Sequence, residues 1–140
     1  MACKHVIPIM REQGGGSIVN ISSLAVLEGY PYLGYKTMKT AIIAMTQNLA
    51  MAHADAAIRV NAILPGLMNT PMAIEARVAA GTPREQVIAS RNARVPLGNR
   101  MGTAWDVAYA ALFLASDEST HITGTHFPVD GGVTQTCPGV

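Results

Sequence analysis

The stretch Tyr35-Lys36-Thr37-Met38-Lys39 holds the residues of this chain best suited to chemistry. Tyr35 and Lys39 stand four residues apart, so on a helix they share one face. A tyrosine ordinarily titrates near about 10. Exchanging a proton near neutral pH therefore calls for about 4 kcal/mol of preferential phenolate stabilisation. A lysine ammonium one turn away supplies part of that. A hydroxyl from Ser22 or Ser23 can hold a substrate oxygen against the tyrosine. Such a set can take a proton from an alcohol while hydride leaves its carbon. A surface Tyr–Lys pair beside an unrelated strand has the same spacing. Tyr32 and Lys36 form a second, overlapping pair, and only one pair can face a site. Tyr32 follows Pro31 and precedes Gly34, a poor residue for a helix interior. Tyr35 opens the uninterrupted helical stretch, which favours Tyr35 with Lys39.

The elements that must position these residues follow from periodicity. Residues 1–13 read as a helix, with Pro8 near its first turn or at a kink, stopped by Gly14-Gly15-Gly16. The β-branched run Ser17 to Ser22 reads as a strand. Residues 24–33 suggest a partly buried loop. A helix spans about 33–54, with Met38, Ala41, Ile42, Met45, Leu49 and Ala52 at helical spacing. Ile58 to Leu64 is a second strand, ended by Pro65-Gly66. Two short helices follow at 71–80 and 83–93, the second with Thr82 as cap and Pro83 at its first position. Thr103 can cap a helix running to Ser116, with Ala104, Val107, Ala108, Ala111, Leu112 and Leu114 as its apolar face. Thr125 to Val129 is a third strand, closed by Asp130-Gly131-Gly132, and the tail through Pro138 reads as loose. Strands alternating with crossovers of more than about a dozen residues require a parallel sheet with helices packed on it. In such sheets ligands bind beyond the carboxyl ends of the strands. Ser22-Ser23, Pro65-Gly66 and Asp130-Gly131-Gly132 all fall there, although Ser, Pro and Gly also serve as ordinary turn residues.

Composition narrows the function. A length of 140 residues suits a single domain over 1–140 with a real core. Charged residues are only 14%, so part of the surface is expected to meet another chain. The net charge of +1 offers no field for nucleic acid or an anionic membrane. No apolar run has the length of a membrane helix, and Lys4, His5 and Pro8 interrupt any signal peptide, which predicts a cytoplasmic protein. Cys3 and Cys137 read as free thiols rather than a disulfide, and the scattered His5, His53, His121 and His126 read as structural, so no metal is predicted.

The motifs in this order resemble the short-chain dehydrogenase/reductase family. The text that carries the resemblance is Ile18-Val19-Asn20-Ile21-Ser22-Ser23, Tyr35 to Ala41, and Arg59-Val60-Asn61-Ala62-Ile63-Leu64-Pro65-Gly66 with Thr70. It continues through Ala115-Ser116-Asp117, Ile122-Thr123-Gly124 and Val129-Asp130-Gly131-Gly132. The resemblance implies a partial Rossmann-like, doubly wound parallel α/β sheet. It implies an NAD(P)-dependent oxidoreductase interconverting a secondary alcohol and a ketone. Tyr35 would be the acid/base, Lys39 would assist it and bind the nicotinamide ribose, and Ser23 would orient the substrate carbonyl. Counting back from Tyr35 chooses Ser22 instead; alignment from the strand side and from Gly29 chooses Ser23. Pro65, Gly66, Met68 and Thr70 would contact the nicotinamide end of the cofactor. Leu24, Ala25, Tyr30, Tyr32, Met68 and Met72 would line the substrate, and their apolar character suggests a hydrophobic or cyclic one. Residues 71–95 resemble the substrate-covering lid. The helices at 1–13 and 33–54 would pair in a homo-oligomer.

The resemblance covers the C-terminal part of the family only. The Gly-rich turn that seats the pyrophosphate, the Asn-Asn-Ala-Gly segment and the fourth catalytic residue have no counterpart here. The first strand would lose its inner neighbour. Weak or no cofactor binding by these residues alone is therefore expected. The alternative function is that of an inactive remnant that folds or oligomerises. An unrelated α/β binding domain would have to produce every one of these motifs by chance.

Overall fold

A computed structural model describes residues 2–136. Helix α1 (Ala2–Glu12) leads through a glycine turn into strand β1 (Gly16–Ile21). A single 3-10 turn (Leu24–Val26) precedes the long helix α2 (Leu33–His53), and strand β2 (Ile58–Pro65) follows. Helices α3 (Pro71–Ala79) and α4 (Arg84–Asn92) come next, then α5 (Ala104–Ala115) and strand β3 (His126–Val129). The strands form one parallel sheet in the order β1-β2-β3. The register sets Ile18 beside Val60 and Ile63 beside Phe127.

β2 is the central strand, and its sequence explains why. Ile58, Val60, Ala62, Ile63 and Leu64 are all buried, as a strand covered on both faces requires. Alternate residues point to opposite faces. Ile58 and Val60 pack with Ile7 of α1 and Ala50 of α2. Arg59 points the other way and donates to the Leu114 carbonyl of α5 at 2.7 Å. Helices therefore cover both faces, the doubly wound arrangement expected from the sequence. Asn61 is wholly buried between them, donating to the Ile122 carbonyl at 2.8 Å and accepting from the Thr125 amide at 3.2 Å.

Several details differ from the sequence reading. Of the two placements expected for Pro8, the first turn is excluded, because it lies in the interior of α1. β1 begins at Gly16 and ends at Ile21, so Ser22 stands just beyond the strand. Pro83 is itself the residue before α4, with extended backbone, and Thr82 lies outside. The proline at a first helical position is Pro71, preceded by Thr70. On α2, Met38, Ala41 and Ala52 face outward. The sheet side is built from Thr46 and Ala50, whose small size lets the helix approach β2. On α5, Ala104, Ala108 and Leu112 are exposed and Leu114 is buried. Both helices are apolar on more than one side, so spacing alone does not pick the inner face. Cys137 and Pro138 lie outside the described residues; Cys3 is a free thiol. Among the described residues no helix is long and apolar enough to cross a membrane.

Candidate active site

The carboxyl end of β1 delivers two serines with different fates. The Ser22 amide extends the ladder by donating to the Ile63 carbonyl at 2.8 Å. Its side chain is 3% exposed, and its hydroxyl donates to the Lys39 carbonyl at 2.8 Å. Ser23 caps the 3-10 turn: its Oγ accepts from the Ala25 amide at 3.2 Å. Among the described residues the Ser23 hydroxyl proton is given to no acceptor.

α2 brings Tyr35 and Lys39 to the same place. Lys39 Nζ donates to the Ile21 carbonyl at 3.1 Å, which ties the helix to the last residue of β1. The same Nζ lies 5.8 Å from the centre of the Tyr35 ring. Tyr35 is 40% exposed and its hydroxyl has no partner among the described residues. The overlapping pair does not share this geometry. Tyr32 precedes the helix and is 68% exposed, while Lys36 Nζ donates to the Glu28 carbonyl. The Tyr30 ring lies 5.5 Å from that of Tyr35 and 5.6 Å from that of Tyr32, an aromatic wall beside the Tyr35 ring.

The exit of β2 forms the second side. Gly66 donates to the Val129 carbonyl at 2.9 Å, and a Cβ there would stand 2.6 Å from the Asp130 backbone. No other residue fits so close an approach between two strand ends. Met68 is buried and pairs with Gly102 in a single parallel bridge. Thr70 precedes α3, and its hydroxyl makes no capping bond. The exit of β3 is fixed by Asp130, whose carboxylate accepts from the Gly132 amide and from the amide and hydroxyl of Thr134, at 2.7–2.9 Å. Partial burial opposes its charge, but these hydrogen bonds outweigh it and hold the carboxyl below its usual range. Gly131 adopts a φ of 61°, and a side chain there would strike Val95.

The expected substrate-lining residues divide. Leu24 and Ala25 are buried, and Leu24 packs on Val95 and Val133. Tyr30 and Tyr32 form the aromatic wall. Met72 stands out on α3, 82% exposed. α3 and α4 fold on a small core of Ile74, Val87 and Met101. The sequence reading passed over Arg91, at the end of α4. It is half-buried, with Nη2 3.4 Å from the Met68 carbonyl and Nε donating to Met101 Sδ at 3.1 Å. The available signal was four arginines against two glutamates in residues 71–95.

Comparison with known proteins matches the sequence and the fold along nearly the whole chain. A family described as Enoyl-(Acyl carrier protein) reductase matches residues 1–134. The 3-oxoacyl-[acyl-carrier-protein] reductase FabG of Thermotoga maritima is 42% identical over 129 residues, covering 91% of this chain and 49% of that protein. Among solved structures, the aldohexose dehydrogenase of Thermoplasma acidophilum superposes with a TM-score of 0.90 at 35% identity, covering 98% of this chain and 55% of the other. ElxO with NADP bound superposes with a TM-score of 0.83 at 33% identity, covering 96% and 52%. The chain thus spans about half the length of the curated relatives it matches, 50% of one and 52% of another.

Proposed function

Since the chain belongs to the short-chain dehydrogenase/reductase family of oxidoreductases, we propose that it carries the proton-transfer half of an NAD(P)-dependent interconversion of a secondary alcohol and a ketone. The observation that carries this is Lys39. It stands one turn from Tyr35 and is anchored to the Ile21 carbonyl at the end of β1, two residues before Ser23. In the reducing direction Tyr35 gives its proton to the carbonyl oxygen. Ser23 donates a hydrogen bond to the same oxygen and holds the substrate in line. The Lys39 ammonium stabilises the negative charge left on the tyrosine oxygen. Oxidation runs the same steps backwards, with Tyr35 accepting the alcohol proton.

The donors left over fit the nicotinamide end of a dinucleotide. An ammonium has three N–H donors and Lys39 uses one on Ile21, so ribose hydroxyls can take the others. The Thr70 hydroxyl is uncommitted, and Pro65, Gly66 and Met68 shape the backbone beside it. NAD or NADP, when bound, supplies or takes the hydride. Nothing in the sequence replaces the family's Gly-rich pyrophosphate turn, so these residues alone bind the cofactor weakly or not at all. Tyr30, Tyr32 and Met72, with Leu24 and Ala25 behind them, suit an apolar substrate body.

The test is a chimera of this chain with the N-terminal half of the Thermotoga maritima relative. The expected result is saturable NADH or NADPH binding by calorimetry and reduction of apolar ketones, with neither shown by the 140 residues alone. A folded chimera that binds cofactor and reduces no ketone overturns the proposal. A second reading, an inactive remnant that associates with itself, is favoured by the exposed Ile9, Leu33, Met38 and Met51 on α1 and α2. These faces suit a homo-oligomer in either case, and the chimera is expected to sediment as a dimer or larger.

A further inference from the structure

Arg91 is held in a way the packing of the lid does not require. Its two acceptors are a thioether sulfur and a carbonyl at 3.4 Å, both weak partners for a guanidinium. Among the described residues no carboxylate lies at ion-pair distance from it, and Glu75 of α3 is taken by Arg84 at 2.8 Å. No buried side-chain nitrogen or oxygen among them lacks a partner, so Arg91 Nη1, which bonds nothing there, meets solvent. Burial first, then the charges of Arg77 and Arg94, pull Arg91 below the ordinary arginine value; Tyr30 is near enough to act in the opposite sense. The Tyr30 ring in turn lies 5.5 Å from that of Tyr35. A half-dry cation among other cations costs desolvation with no counter-charge to offset it. An incoming anion would remove that cost, and it would sit beside Met68, just beyond the exit of β2.

We infer that Arg91 is a specificity-determining residue that takes an anionic oxygen group, a carboxylate or a phosphate, carried by the substrate at the end away from its reacting carbon. The inference rests on Tyr35 being the acid/base. The substrate class is then a keto acid or phosphorylated ketone, with the matching hydroxy compound as product. Its apolar body lies along Tyr30. The planar guanidinium fork accepts either oxyanion with two donors, whereas Arg77 and Arg94 add field rather than contact.

The experiment is saturation-transfer NMR on the full chain with levulinate and methyl levulinate, two ketones on one carbon skeleton that differ in charge. Levulinate is expected to bind about tenfold more tightly, the effect of charge-assisted hydrogen bonds weakened by solvent at a half-exposed site. That advantage should fade as salt is raised. Arg91→Gln should bring the acid to the affinity of the ester and leave the ester unchanged, and Arg91→Lys should keep part of the preference. Dihydroxyacetone phosphate against dihydroxyacetone repeats the comparison for phosphate, and the larger ratio names the natural group. Equal binding of acid and ester by the unaltered chain overturns the inference. So does an Arg91→Gln variant that weakens acid and ester alike, as a merely structural role would. Should Arg91→Gln fail to fold, the salt dependence of the unaltered chain decides. Tyr35→Phe should leave the acid-to-ester ratio intact, so a failed turnover proposal and a failed anion site give different results.

Discussion

At the amino ends of the strands, polar side chains are spent on the fold. Ser17 donates to the Leu114 carbonyl at 2.8 Å. Arg59 reaches the Leu114 and Ser116 carbonyls and the Ser119 hydroxyl, at 2.7–3.0 Å. Thr123 accepts from the Val60 amide at 3.0 Å. At the carboxyl ends the same residue types are left open. The hydroxyls of Tyr35 and Thr70 and the hydroxyl proton of Ser23 find no acceptor among the described residues. None of these three residues is buried, so their free hydroxyl capacity is available to a ligand without breaking a bond of the fold. The two ends also differ in what secures them. Arg59 closes the carboxyl end of α5, whereas Lys39 ties the start of α2 to β1 with a single bond.

The largest effects should separate the two ends. In the chimera, Tyr35→Phe is expected to lower turnover about a thousandfold. It should change unfolding free energy by less than about 0.5 kcal/mol. Arg59→Ala should do the reverse, costing about 3 kcal/mol in urea denaturation and leaving the turnover of the folded fraction within about twofold. Steady-state rates and denaturation midpoints on the same preparations check both. If Tyr32→Phe rather than Tyr35→Phe removes turnover, the overlapping pair is the reactive one and the comparison of the two ends loses its centre.

A finer contrast lies between adjacent residues. Ser22→Ala removes a buried donor to the Lys39 carbonyl and should cost about 1 kcal/mol of stability with turnover nearly intact. Ser23→Ala should lower kcat about a hundredfold, with a similar loss of about 1 kcal/mol through its cap. An exchange of these kinetic outcomes would make Ser22 the substrate-orienting serine.

That pair also shows where sequence reading reaches its limit. β2 was legible because Ile58 to Leu64 is a nearly continuous apolar run that only a central strand can use. α2 was legible because Leu33 to His53 has no proline, and Tyr35 with Lys39 followed from the helical period. Ser22 against Ser23 was not legible, since the distinction is which way an Oγ points at a strand end. The inner face of α2 was only partly legible: Leu49 packs on the core as its spacing suggests, but the buried positions are the small Thr46 and Ala50, and the larger Met38 faces outward. Arg91 was hidden because its depth depends on α4 folding back over Met68 and Met101, contacts remote in sequence.

Asp130 gives the smallest effect and tests whether position or bonding state defines the comparison. It lies at a carboxyl end, yet both of its oxygens are spent on Gly132 and Thr134, as Arg59 is spent at the other end. Its carboxyl is held below the ordinary value of 3.8, so the folded state favours the charged form. The stability it contributes is therefore full above that ordinary value and is lost as pH falls through the lower folded value. Asp130→Asn should cost about 0.5–1 kcal/mol at pH 7 after solvent screening, from the acceptor it removes. The difference between the two proteins should persist through the ordinary value of 3.8 and shrink only as the pH falls through the lower folded value, where the native carboxyl also becomes neutral. Urea denaturation across that range reads this directly. A kcat profile that shifts with Asp130→Asn would place Asp130 among the reactive groups. An unchanged profile with the predicted acid convergence would show that bonding state, not the end of the sheet, separates frame from site.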